Sequence, residues 1–84
     1  MGDVVIHPRV FERHLDLTED DVLSAWDNTL RWVIRSRSAF DETVAVGSGK
    51  TLEMAAVFRE DGIWLVYHAM CPPTNGTLRE VGLK

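Results

Sequence analysis

The sequence predicts an α+β domain in the order β-α-α-β-β-β-β, with two short helices packed on one face of an antiparallel sheet. Three observations carry this. Helix signals crowd into the first third of the chain, the hydrophobic period drops to two near Thr29, and glycine-containing turns then separate the apolar runs.

The elements follow in order. "DVVIH" is a β-branched apolar run and predicts a first strand over Val4 to Ile6. Pro8 suits a helix start because its missing N–H is not needed in the first turn. Val10, Phe11, His14 and Leu17 follow at helical spacing, predicting a helix from about Pro8 to Leu15. Thr18 with Asp21 three residues on reads as a capping box, and Glu19 and Asp20 place negative charge where the helix dipole favours it. Leu17 and Val22 bracket that cap as a hydrophobic staple, and Val22, Ala25 and Trp26 continue one apolar face until Asn28.

From Thr29 the pattern alternates. "LRWVIRSR" sets Arg31, Val33, Arg35 and Arg37 on one side and Leu30, Trp32 and Ile34 on the other. "ETVAVG", "TLEMAAVFRE" and "IWLVYHAM" are the next three strands. The residues of the middle one, Leu, Glu, Met and Ala, prefer helix, but Asp61-Gly62 between two apolar runs is a strong hairpin signal and favours strands. A two-residue turn there pairs Phe58 with Leu65, Ala56 with Tyr67 and Met54 with Ala69 toward the helices. The other face then carries Glu53 with Met70, Ala55 with His68, Val57 with Val66 and Arg59 with Trp64. A three-residue turn slips this register by one. With the two-residue turn, Trp26, Met54, Phe58 and Leu65 form one core.

Length and composition bound the function. A chain of 84 residues makes one domain with a modest core. The net charge of −4 removes long-range attraction for nucleic acid, so any RNA contact must come from a local basic patch. The single cysteine, Cys71, allows no internal disulfide and fits a reducing compartment, so cytoplasm is expected. No leader or membrane span is recognisable.

"VGSGKT", from Val46 to Thr51, invites a nucleotide-binding reading. The phosphate loop G-x-x-x-x-G-K-[ST] needs a glycine where Val44 stands, and a strand before it where the chain reads "RSRSAFDE". Gly47-Ser48-Gly49 is therefore expected to be a hairpin turn. His7 and His14 have no third partner in spacing, and no metal or cofactor is expected.

Proton-transfer and phosphate chemistry have candidates nonetheless. On the predicted sheet face, His68 and Glu53 supply an imidazole and a carboxylate, and Arg59 a guanidinium that grips phosphate oxygens. Arg31, Arg35 and Arg37 form either a charged edge that keeps a strand soluble or a phosphate-tracking stripe. An ordinary half-solvated sheet face accounts for the same residues.

The order of elements, with "HLDLTEDDVLSAWDN", "ETVAVGSGKTLEM" and "VYHAMCPPTNGTLREVGL", resembles the BrnT-like branch of the RelE-type toxin superfamily. The likeness covers nearly the whole chain and rests on pattern. It implies two helices before an antiparallel sheet, and a last strand leading through a threonine into a C-terminal helical segment. It also implies a bacterial toxin: a metal-independent endoribonuclease held in check by a bound antitoxin, acting on RNA or the ribosome. The residues it offers for neutralising phosphate and moving protons are Arg35, Lys50, Arg59, Tyr67 and His68. The other reading is a non-catalytic module binding a protein through the sheet and an exposed tryptophan, and self-association through sheet or helices is open under both.

Overall fold

The computed structural model describes residues 3–36 and 40–84. The predicted place of Arg37 on the second strand lies outside them. The element order is β1 (Val4–Ile6), α1 (Arg9–Arg13), α2 (Glu19–Asp27), β2 (Thr29–Ser36), β3 (Asp41–Gly47), β4 (Leu52–Phe58), β5 (Trp64–Met70) and α3 (Asn75–Glu80).

The sheet has five strands in the order β1-β5-β4-β3-β2. Strands β2 to β5 form the expected antiparallel meander. The expectation of a wholly antiparallel sheet is corrected at one edge, where β1 runs parallel to β5 with Val5 beside Leu65. The Asp3 carbonyl accepts from Trp64 N–H at 2.9 Å and His7 N–H donates to Val66 at 2.8 Å, which ties both ends of β1 down. The helix layer also needs correcting. Helices α1 and α2 cover one face as expected, but α3 packs on the opposite face.

Helix α2 forms as its cap predicts. The Thr18 hydroxyl accepts from Asp21 N–H, and the Asp21 carboxylate accepts from Thr18 N–H at 3.0 Å. Val22, Ala25 and Trp26 are fully buried in a core with Val10, Leu17, Met54, Ala56, Val66 and Ala69. Helix α1 ends two residues earlier than predicted, because His14 leaves the helical conformation. Leu15 is thereby thrown into solvent, while Leu17 still returns to the core. Gly47 lies under α2 so closely that a Cβ there would stand 1.9 Å from the Ala25 carbonyl oxygen. That contact seats α2 on the end of β3.

The β4–β5 hairpin differs from its predicted register for a local reason. Arg59 N–H donates to Ile63 and Gly62 N–H to Arg59, both at 3.0 Å, so the loop is the three residues Glu60, Asp61 and Gly62. Gly62 takes the last loop position at φ +83°, and Asp61 accepts from Ile63 N–H. Aspartate-glycine serves this turn as readily as the two-residue one. Phe58 therefore pairs with Trp64, Val57 with Leu65 and Ala56 with Val66. The expected pairs Phe58–Leu65, Ala56–Tyr67, Val57–Val66 and Arg59–Trp64 are replaced. Tyr67 is then the extra residue of a β-bulge, and beyond it Ala55–His68, Met54–Ala69 and Glu53–Met70 pair as predicted. Trp64 packs on Trp26 in the core, Leu65 turns to the other face, and Phe58 is 61% exposed at the hairpin end. Trp26 and Met54 are the two members of the predicted core foursome that lie in it.

The second face is covered in part by α3. Thr74 caps it, its hydroxyl accepting from Thr77 N–H. Leu78 and Val81 pack on Val33, Val44 and Val46.

Candidate functional site

The second sheet face, the β5 bulge and the end of α1 meet around an open pocket of about 320 Å³. Strand β4 contributes Glu53, β3 contributes Glu42 and β2 contributes Arg35, because alternation sets all three on the α3 side. Strand β5 contributes His68 by its pairing with Ala55, and Tyr67 by the bulge beside it. Arg13 reaches in from the last turn of α1, and Thr77 from α3.

At the centre stands a proton-handling pair. His68 Nε2 lies 3.0 Å from Glu53 Oε2, while Glu53 Oε1 accepts from Thr74 N–H at 2.6 Å. Glu53 is buried. Burial alone pushes its carboxyl up, but the Thr74 and His68 hydrogen bonds outweigh that and hold it below the usual value. An ionised Glu53 takes the proton-bearing nitrogen of a neutral imidazole, which leaves Nδ1 of His68 as the acceptor. The His14 ring stands edge-on to His68 with centroids 6.3 Å apart.

Arg35 is a clamp. Its guanidinium donates to both carboxylate oxygens of Glu80 on α3 and to Glu42 Oε1 at 3.2 Å. The bonds to Glu80 raise its already high pKa, against the opposing effect of burial. It is a fixed cation between strand and helix, while Glu53 pins the other end of α3 through Thr74.

Of the five residues singled out in the sequence, three are brought together: Arg35, Tyr67 and His68 line one pocket. The other two lie elsewhere. Arg59 pairs with Asp61 at 2.7 Å at the hairpin tip. Lys50, in the β3–β4 turn, donates to the Asp16 carbonyl at 3.2 Å and lies 3.5 Å from the Asp21 carboxylate at the start of α2. Asp21 is held below its ordinary carboxyl pKa, first by the Thr18 N–H and in smaller part by Lys50.

Sequence reasoning missed Arg9 and Arg13. They are one helical turn apart on α1, and neither forms an ion pair with a described residue. The signal available was the run "HPRVFERH", which holds two of the three histidines and two arginines on an acidic chain. Among the described residues no group of three or more His, Cys, Asp or Glu is placed to hold a metal ion. No helix among them is long and apolar enough to cross a membrane.

Compared with protein-family models, curated proteins and solved structures, the chain finds no match in any of the three.

Proposed function

We propose that this chain is the toxin of a bacterial toxin–antitoxin pair of the RelE/BrnT type, a cytoplasmic endoribonuclease inhibited by its antitoxin. The observation that carries the reading is the His68–Glu53 pair, its imidazole partly exposed in an open pocket that Tyr67 and Arg13 also line. Cleavage of RNA by its own ribose needs a base for the 2′-OH, a cation for the charge building on the phosphate, and an acid for the leaving 5′-oxygen. Imidazole is the side chain suited to trading protons near neutrality. His68 takes the 2′-OH proton at Nδ1, and Glu53 stabilises the imidazolium that results. Arg13 meets the phosphate, because Arg35 is engaged by Glu42 and Glu80. The imidazolium then hands that proton to the leaving 5′-oxygen, and Tyr67 lines the pocket without a part in the transfer. Arg59 and Lys50 take no part.

The test is expression without a partner, followed by incubation of the purified protein with free and ribosome-bound RNA. Wild type is expected to slow growth and cut RNA, and His68→Gln to do neither while keeping its fold. Intact RNA under wild type, or equal cutting by His68→Gln, overturns the reading.

A second reading is favoured by β2. Leu30, Trp32 and Ile34 are each more than half exposed on one face of this edge strand, beyond the cover of α2. Such a stripe suits a protein-interaction module. Harmless expression and uncut RNA would turn the assignment to it.

A further inference from the structure

We infer that a second pocket, between α1 and the β5 bulge, is an anion subsite that holds a neighbouring phosphate of a polynucleotide chain. It rests on the reading of the His68 pocket as the RNA-cleaving site.

The subsite is a depression of about 190 Å³ lined by His7, Arg9, Arg13 and Tyr67. Its wall holds no carboxylate, on a chain with 13 acidic residues against 9 lysines and arginines. Among the described residues Arg35 is answered by Glu42 and Glu80, Lys50 by Asp21 and Arg59 by Asp61. Arg9 and Arg13 have no such ion pair, and spacing of four residues sets them side by side on α1, in a wall without a carboxylate. A bound anion relieves the repulsion between two like charges at this spacing, and their planar forks suit phosphate oxygens.

His7 adds a donor. Arg9 N–H donates to His7 Nδ1 at 3.1 Å, so the proton of the neutral ring sits on Nε2. Tyr67 supplies the independent observation. Its hydroxyl is buried and has no hydrogen-bond partner among the described residues, an expense a folded protein rarely leaves uncompensated. In our proposal Arg9 shifts to grip the neighbouring phosphate, Arg13, which lines both pockets, stands between it and the scissile one, and the hydroxyl donates to the neighbouring phosphate.

Two residues join the subsite to the cleavage pocket, since Arg13 and Tyr67 line both. A substrate filling both pockets needs phosphates at successive positions of one chain. The ligand class is thus a single-stranded polynucleotide rather than a mononucleotide.

The test uses the full chain and a fluorescein-labelled 2′-O-methyl octauridylate, which binds but cannot be cleaved because the attacking hydroxyl is blocked. Fluorescence anisotropy over a salt series gives affinity and salt slope. Arg9→Ala/Arg13→Ala is expected to weaken binding about tenfold at low salt and to reduce the slope by about 1.4, the value for two single-strand phosphate contacts. Tyr67→Phe should weaken binding several-fold with the slope unchanged. A charge-matched control, Arg31→Ala/Arg79→Ala, removes two exposed arginines elsewhere and should leave both quantities close to wild type. Uridine 3′-monophosphate, the single-phosphate probe, should bind far more weakly than the octamer.

The subsite is overturned if the α1 double variant binds like wild type, if the control loses as much as it does, or if wild type does not bind the octamer. Mononucleotide binding as tight as the octamer overturns the chain-binding claim. These failures are separable from failure of the ribonuclease reading: octamer binding that depends on Arg9 and Arg13 in a protein that cuts no RNA leaves the subsite standing, and cutting without that dependence removes the subsite and the Arg13 contact but leaves cleavage by His68 and Glu53.

Discussion

Glu53 joins two parts of the molecule, accepting from His68 Nε2 at 3.0 Å and from Thr74 N–H at 2.6 Å. One carboxylate orients the imidazole and anchors the start of α3. Its protonation therefore bears on stability as well as on the site.

The sign follows from its lowered pKa. A carboxyl that ionises more readily folded than unfolded adds stability above the unfolded value, and that stability is lost as pH falls through the folded one. Acid unfolding of wild type is expected to steepen below the ordinary glutamate value of 4.5. Glu53→Gln should flatten that limb and lower stability at neutral pH. Denaturant melts of both proteins over an acid pH series check it, and identical pH dependence would show that Glu53 is not the group responsible.

Gly47 should tolerate no side chain. A Cβ there meets the Ala25 carbonyl oxygen at 1.9 Å, and the atoms it meets are backbone that cannot rotate away, so α2 must lift from the sheet. Gly47→Ala is expected to cost about 3 kcal/mol or more, most of the stability of so small a domain. A thermal midpoint within a few degrees of wild type would contradict the close contact.

Two aromatic truncations should differ sharply. Trp26 is fully buried, and Trp26→Ala should cost about 3 to 5 kcal/mol. Phe58 is 61% exposed and keeps mainly its ring contact with Trp64, centroids 5.0 Å apart. Phe58→Ala should cost about 1 kcal/mol or less. Equal losses in urea melts would mean that the hairpin has the two-residue register.

Thr18→Ala removes the acceptor for Asp21 N–H at the start of α2. The expected cost is about 1 kcal/mol, with faster amide exchange in the first turn of α2. Thr18→Ser should restore most of it, and a Ser variant no better than Ala would count against the capping role.

How much of this was legible in the sequence depended on how far each signal reaches along the chain. The capping box at Thr18, the turn after Gly47 and the change of period at Thr29 each act within a few residues, and each is found where local chemistry puts it. The pairing of His68 with Ala55 beside Glu53 also came through, though for an incomplete reason. The slip made by the three-residue turn is undone by the bulge at Tyr67.

What the sequence determined by itself was therefore the types of the first seven elements, the helix α2 with its buried Val22, Ala25 and Trp26, and the meander of β2 to β5, but not α3. Tertiary structure decided the rest. No local signal says that β1 adds beside β5 in parallel, because that pairing joins segments about 60 residues apart and is chosen by which sheet edge is left open. None says that Arg35 closes on Glu80, 45 residues away, or that Arg13 of α1 reaches the same pocket as His68 of β5. Aspartate-glycine permits two turn lengths, and the choice went to the one that seats Trp64 on Trp26 while leaving Phe58 in water. Burial of the larger indole surface against the helices favours that register, an energy that exists once both layers are in contact.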